Sequence, residues 1–574
     1  MCVLPEVRGV YRRKFDEIHS FIIIHITKKE SMKHVPFFKV LWALALSVAL
    51  YSCNDDDDID NETPPVVDEA IKNDAEAQAA ANAAYPPLQT LSSSFSFLIE
   101  SATEGTISFE GEEDEAGPEV SRFEPDENNW YAIKVFSRLY QSIGAANSAI
   151  ERITEAGAVS GAVKTKTIAQ AKFVRALAYS YLVQLYGEVP LVLETGEPTK
   201  VRSSIEAVYT QIVKDLTEAE AGLPDYDANP SNPSKGTANA ILARVYLAWG
   251  SKPLASEEVA AISNGTADPA FSTDKAKLEK AAEYADKVIK SGKYSLLADY
   301  TKLFGRSNES KAPEHIFTIH HDGDAFDAQG NHQTHCAFTF TFELEKDNHM
   351  GPSDVNLRDR FEEADAVRRD FSYTIEVANP EENNKVYTFL PPVTLPRYGK
   401  GIDRSYENSV NHAITTNEVD RIEIRYAEVL LIKAEAAFEL GNIAEALTAI
   451  NEVRARAFGN TSHNLTAATL TREAVRKEWG LELAYEQKAW LNLVRWKTLI
   501  STVKTVKDFE HYDSSYKAAG ATGKDGHVVT AFFAKVYKHL HAKYDNVKGK
   551  HYRFPIPVGE KTEDLGIRPQ NPGY

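Results

Sequence analysis

The chain has 574 residues, 43% of them hydrophobic and 26% charged, with a formal net charge of −19; that balance supplies a large core and excludes a wholly disordered polymer. The acidic excess argues against nucleic acid as a partner, because affinity for phosphates is carried by Lys and Arg. With only Cys2, Cys53 and Cys336 available, a disulfide framework is excluded and packing must supply the stability.

Residues 1–31 read neither as a signal peptide nor as a domain, so they are taken as an upstream extension and the true start is placed at Met32. From there the chain runs MKHVPFFKVLWALALSVALYSC, with cationic Lys33 and Lys39 before an apolar run at 40–51. That length suits the core of a signal peptide, assigned to 32–52, and is short for crossing a bilayer. Leu50, Tyr51 and Ser52 before Cys53 resemble the lipobox of bacterial lipoproteins, although Tyr51 is bulkier than usual there. The resemblance implies cleavage before Cys53 and its diacylation; a plain N-terminal anchor with an incidental cysteine is the rival reading. Residues 53–67 are then a lipidated acidic tether. Asn54 and the aspartates at 55–58 cannot pack, and Pro64 and Pro65 keep the segment extended. An acidic stretch directly behind the cysteine also resembles the surface-export signal of Bacteroidota lipoproteins.

Beyond the tether the dominant signal is paired helices, in a region expected at 68–312. Residues 169–186 place Phe173, Leu177, Tyr181 and Leu185 four apart on one stripe, stopped by Gly187 and Pro190. A partner helix is expected at 205–222. Residues 237–249 repeat the pattern with Ile241, Val245 and Trp249, answered at 278–292. The clearest pair is expected at 422–440 and 443–457, turning at Gly441 and Asn442. Each helix can bury only one face, so the pairs must stack, and small residues such as Ala434, Ala437 and Ala446 let neighbours approach closely.

The remainder, 313–574, is expected to combine a variable lobe with closing helical pairs. The lobe is placed at about 313–400, where HIFTIHH and then Phe338, Phe340 and Phe342 alternating with Thr339, Thr341 and Glu343 give the period of two of strands. Irregular stretches are read at 92–129 and 504–551, and insertions of that kind inside a compact domain tend to be functional. The expected fold is mainly α: a tetratricopeptide-like scaffold of helical hairpins with a loop-rich α+β lobe.

Enzymatic motifs are scarce: no H-E-x-x-H, G-x-S-x-G, Walker-type loop or C-x-x-C occurs. Glu478, Glu482 and Glu486 line one helix face at four-residue spacing; with Arg472, Arg476 and Lys488 nearby they read as an ordinary ion-pair face, not as a glycosidase pair. His320, His321, His332 and His335 lie among Asp322, Asp324 and Asp327, but the spacing fits no standard ligand set, so solvated loop polarity is preferred to a metal site. Cys336 reads as a buried free thiol beside Phe338. Sugar recognition needs flat rings against a pyranose face and polar groups for its hydroxyls. Phe97, Phe109 and Phe123 in the first insertion, with Phe326, His332, Asn348 and Asp354 in the second, supply that mixture and are the candidate ligand-binding residues. The bland alternative for each ring is ordinary core.

Several segments resemble one family, the SusD/RagB-like outer-membrane nutrient-binding lipoproteins. AKFVRALAYSYLVQLYGEVPLVLE at 171–194 is similar to the family's Arg-Ala helix and Tyr-Gly-x-Val-Pro-Leu turn. GTANAILARVYLAWG at 236–250 resembles its next repeat, RYAEVLLIKAEAAFELGN at 425–442 a third signature, and FPIPVGEKTEDLGIRPQNPGY its usual ending. At 486–496, Glu486, Trp490, Leu493, Arg495 and Trp496 fit the family's pattern, whereas Gln487, Ala489 and Asn492 replace its glycine, arginine and aspartate. The resemblance implies a surface-exposed lipoprotein of the outer membrane that sits on a SusC-like TonB-dependent transporter and captures oligosaccharides, without catalysis, cofactor or nucleic acid. Its rivals are an exported helical-repeat scaffold for a protein or peptide and, less favoured by the missing motifs, a surface glycoside hydrolase.

Overall fold

The computed structural model describes residues 70–92, 94–108, 115–196, 199–304, 313–321, 350–379, 385–388, 395–401, 420–558 and 566–574. All of them belong to one compact unit, residues 59–574. Cys53, Cys336 and the Phe338, Phe340 and Phe342 alternation lie outside the described residues.

The scaffold is a series of helices, each packed on the next: α1 (Trp130–Glu155), α2 (Gly161–Tyr186), α3 (Ile205–Gly222), α4 (Lys235–Gly250), α5 (Lys275–Lys290), α6 (Tyr426–Leu440) and α7 (Ile443–Phe458). Local chemistry sets their ends. The Asn129 side chain accepts from the Ala132 amide, Ser204 from Ala207, and Ser234 from Thr237, each satisfying an amide that the first turn leaves unpaired. At the other end Gly187 (φ +76°) and Gly441 (φ +85°) take backbone angles that an L side chain resists, and α2 and α6 stop there. Ala434, Ala437 and Ala446 are fully buried where α6 meets its neighbours, as the small-residue pattern anticipates.

Two expected boundaries move: α2 begins at Gly161, eight residues before the expected 169, and the start of α6 shifts as well. Residues 421–425 are a strand, not the first turn of the helix expected at 422–440. With the strands numbered β1 (Thr106–Ser108), β2 (His315–Ile319), β3 (Met350–Pro352) and β4 (Arg421–Arg425), β4 pairs antiparallel with β2, and helix α6 begins only at Tyr426. The Tyr426 amide donates to the Glu314 carbonyl (2.8 Å), so a tertiary bond takes the place of a helical one at the boundary. The HIFTI strand expected in the lobe is β2.

The segments read as irregular contain short elements. A helix at Ser94–Ser101, strand β1 and a helix at Ala116–Ser121 occupy the first, while 3-10 turns and helix α9 (Ala531–Asn546), preceded by α8 (Arg472–Glu482), fill the C-terminal part. The elements at 94–121 and the 3-10 turns are too short for a helical period to stand out; α9, at 16 residues, is long enough and sequence reading overlooked it, whereas α8 is the helix on which Glu478 and Glu482 are expected.

One hydrophobic core runs from Ile71 to Ile567, so it draws on both ends of the described chain. The terminal Gln-Asn-Pro-Gly-Tyr closes it. The Asn571 side-chain amide donates to the Tyr186 and Phe554 carbonyls (2.9 and 2.7 Å), and Arg202 donates to the Pro569 carbonyl (2.7 Å). The turn after α2 and the chain end, two of the motifs singled out in the sequence, are therefore parts of one contact. Arg175 in α2 grips Asp215 of α3 with two 2.8 Å bonds and Asn147 of α1 with a third, a planar fork that lysine could not reproduce.

Candidate functional site

A second, smaller core is assembled from pieces far apart in sequence: Ile107 of β1, Leu395, Val506 and Tyr516 of the 3-10 region, and Phe533, Val536 and Leu540 of α9. It supports a two-stranded ribbon in which β1 pairs antiparallel with β3, Thr106 opposite Pro352, Ile107 opposite Gly351 and Ser108 opposite Met350. β1 belongs to the first candidate insertion, 92–129, and β3 to the second, 319–354. The two segments singled out by composition thus share one base.

That base is densely bonded. The Thr106 hydroxyl meets the Tyr398 and Tyr485 hydroxyls (3.1 and 2.8 Å), and Tyr398 donates to the Gly105 carbonyl (3.2 Å). The Ser353 amide donates to the same carbonyl (3.0 Å), and the Ser108 amide to the Ser121 hydroxyl (3.1 Å). Below it the Lys543 ammonium donates to the Ser101 and Thr103 carbonyls (2.6 and 2.8 Å). Burial pulls the Lys543 amine down to about 7, against the attraction of Glu104. Burial pushes the Glu100 carboxyl up to about 7, against a hydrogen bond from the Gln487 backbone. Several cross-segment hydrogen bonds in a dry environment tie this base together, although Glu100 Oε1 and Ser353 Oγ make none among the described residues.

The candidate residues divide. Phe97 is 4% exposed and stacks on Tyr131 (4.6 Å between centroids, 7° between planes). Phe123 is 3% exposed, edge-on to His551 (5.1 Å) with the Lys543 amine over its ring. Asp354 is fully buried, one carboxylate oxygen 3.6 Å from His511 Nδ1. These three belong to the interior that holds the ribbon, so as direct sugar contacts they are corrected: their faces are already covered by protein. Phe109, Phe326, His332 and Asn348 lie outside the described residues.

Of the histidine cluster only His320 and His321 are described; His332, His335, Asp322, Asp324 and Asp327 lie outside the described residues. His320 Nδ1 lies 2.9 Å from Asp420, and His321 donates its amide to the same carboxylate and meets the Ser92 hydroxyl through Nε2 (2.7 Å). Among the described residues no group of three or more His, Cys, Asp or Glu could hold a metal ion. Trp249 stacks on Tyr209 (5.3 Å, 8°), as packing predicts. Gln487, a departure from the expected pattern, bridges Arg421 and Ser96.

Glu478, Glu482 and Glu486 are not a solvated ion-pair face. All three are buried, and their partners come from elsewhere: Arg368 and Arg454 on Glu478, Arg368, Arg425 and Arg456 on Glu482, Arg425 and Lys400 on Glu486. With every carboxylate committed to arginines or lysine and little or no solvent access, the trio reads as structural and not as an acid–base pair.

Sequence reading missed Tyr512, Tyr537 and His541, half-buried rings that line an open concavity on the smaller core. The four-residue spacing of Tyr537 and His541 was a usable signal; nothing local marked Tyr512.

A family model described as SusD family matches residues 286–574, and one described as starch-binding associating with outer membrane matches residues 58–247. The SusD-like protein P2 of Formosa agariphila is 25% identical over 88% of this chain and 93% of its own length. The starch-binding protein SusD of Bacteroides thetaiotaomicron is 26% identical over 71% of this chain and 72% of its own. The crystal structure of a SusD homolog from Bacteroides thetaiotaomicron superposes with a TM-score of 0.68 at 24% identity, covering 88% of this chain and 98% of that one.

Proposed function

Because the chain belongs to the SusD family, we propose that it is a non-catalytic glycan-capturing protein, held at the outer membrane through lipidated Cys53, that passes oligosaccharides to a SusC-like TonB-dependent transporter. Starch binding by a relative and outer-membrane association in a matching family description support the glycan class and the location. The single structural observation that supports the reading is the β1–β3 pairing, which gives the two ring-bearing insertions a common rigid base. A recognition surface on loops gains affinity when its supports are ordered before the ligand arrives, because less conformational freedom is lost on binding. Phe109, Phe326, His332 and Asn348 are the contacts carried forward for that surface. No cofactor enters the reading.

The test is calorimetry of the mature chain against maltoheptaose, laminarihexaose and a xyloglucan oligosaccharide. Saturable binding without hydrolysis, weakened roughly tenfold or more by Phe326→Ala or Asn348→Ala, is the expected result, since one stacked ring or well-placed polar group contributes about 1–2 kcal/mol. Silence across neutral glycans would favour the scaffold reading, and turnover of the sugar would favour the enzyme.

A further inference from the structure

The concavity on the smaller core has a volume of about 340 Å³ and lies between the 3-10 turns near 504–516 and helix α9. Its wall is a ring stack. Tyr512 and His541 are parallel, 4.1 Å between centroids and 8° between planes, and Tyr537 meets the same imidazole at 4.2 Å. His541 Nε2 donates to the Tyr512 carbonyl (3.2 Å), which fixes the imidazole against one face of each tyrosine and leaves only their other faces for a ligand. Behind the rings Phe533, Val536 and Leu540 are buried, so the stack is already ordered and little rotamer freedom remains to be lost on binding.

The rim is polar and exposed. Asp508 and Asp513 supply carboxylates, Lys507 and Lys524 ammonium groups. Two charges of each sign cancel, so a phosphate or a polyanion gains no net attraction there. A neutral sugar gains from both parts: its apolar face lies on aromatic carbon, and its hydroxyls donate to the carboxylates and accept from the amines. The volume sits at the lower end of the roughly 300–1,000 Å³ of small-molecule sites, enough for about one or two pyranose units. His511, the neighbour of Tyr512, lies 3.6 Å from Asp354, two residues beyond β3, so the concavity and the ribbon share one support.

We propose that the concavity lined by Tyr512, Tyr537 and His541 is a second saccharide site for a neutral oligosaccharide, distinct from the insertions carried on the β1–β3 ribbon. The inference rests on the reading of this chain as a glycan binder and adds to it a location and a ligand charge class.

The experiment is calorimetry of the mature chain with the three oligosaccharides above, comparing wild type with Tyr537→Ala and with Asp508→Ala, the latter exposed and tolerant to folding. Two classes of site are expected in the wild type, with one class weakened about tenfold or more by either substitution and the other unchanged. Binding that both substitutions leave untouched overturns the second site while the glycan reading stands. Binding abolished by both substitutions supports the concavity and overturns the insertions as the capture surface. A wild type that binds none of the three sugars overturns both.

Discussion

Arg425 and Glu482 lie 2.6 Å apart in the interior, joining the end of β4 to the end of α8 across 57 residues of sequence. Both are almost wholly buried, and neither is paired alone. Arg425 also reaches Glu314 and Glu486, while Glu482 also accepts from Arg368 and Arg456. Burial by itself would raise the pKa of Glu482, but Arg456, Arg425 and Arg368 overcome it and hold the carboxyl well below the usual range.

Removing one member of such a network leaves charge buried without compensation. Glu482→Gln is expected to cost about 3–5 kcal/mol in urea unfolding, against roughly 0.5 kcal/mol or less for the exposed control Glu473→Gln. Because the folded value of Glu482 is depressed, its contribution is complete above the ordinary value of 4.5 and is lost as pH falls toward the folded value. The difference between the wild type and the variant should therefore be flat from pH 6 to 8 and shrink in acid. A variant as stable as wild type at neutral pH would contradict this account.

Glu100 carries the opposite sign. Its carboxyl is pushed up to about 7 from 4.5 by burial, so the folded state holds a proton that the unfolded state releases between those values. Stability relative to Glu100→Gln should fall as pH rises from about 5 to 8, by on the order of 3 kcal/mol for a shift of this size in a fully buried group. Thermal melts of both proteins at pH 5 and pH 8 measure it. A pH-independent difference would mean that the carboxylate is better solvated than its burial indicates.

Thr106→Val tests the base of the recognition surface. The substitution keeps the shape but leaves the Tyr398 and Tyr485 hydroxyls without their shared threonine partner, which is expected to cost about 1–3 kcal/mol. The loss should appear locally, as faster amide exchange at Ile107, Ser108 and Met350, with exchange in α2 and α6 unchanged. Glycan affinity should fall several-fold with it; undiminished affinity would show that the base does not order the surface.

Cys53→Ala tests the anchor. The mature wild-type chain is expected to begin at Cys53, to carry the added mass of acyl chains and to partition with detergent. The variant should stay aqueous with its fold intact. An intact mass that still includes residues 32–52 would defeat the lipidation reading.

The sequence by itself determined what depends on neighbours along the chain. The stripe of Phe173, Leu177, Tyr181 and Leu185 and the stops at Gly187 and Gly441 act within a few residues, so helices α2 to α7 were visible, although α2 begins eight residues before the expected start. The terminal and post-α2 motifs were also legible as segments that matter, though not as partners. Tertiary structure decided everything that rests on distant pairing. Arg421–Arg425 could extend a helix or form a strand, and β2 tipped it to strand. Phe97, Phe123 and Asp354 have the chemistry of sugar contacts, yet the two rings lie in the large core and Asp354 is buried against His511. Glu478, Glu482 and Glu486 have the spacing of a surface helix face, yet arginines from three other segments, with Lys400, draw them inside. The aromatic concavity needs Tyr512 and α9 side by side, and no local periodicity encodes that. Periodicity reports which face of an element is apolar; it does not report what that face will meet, because a long-range contact is specified jointly by two stretches of chain that are read separately.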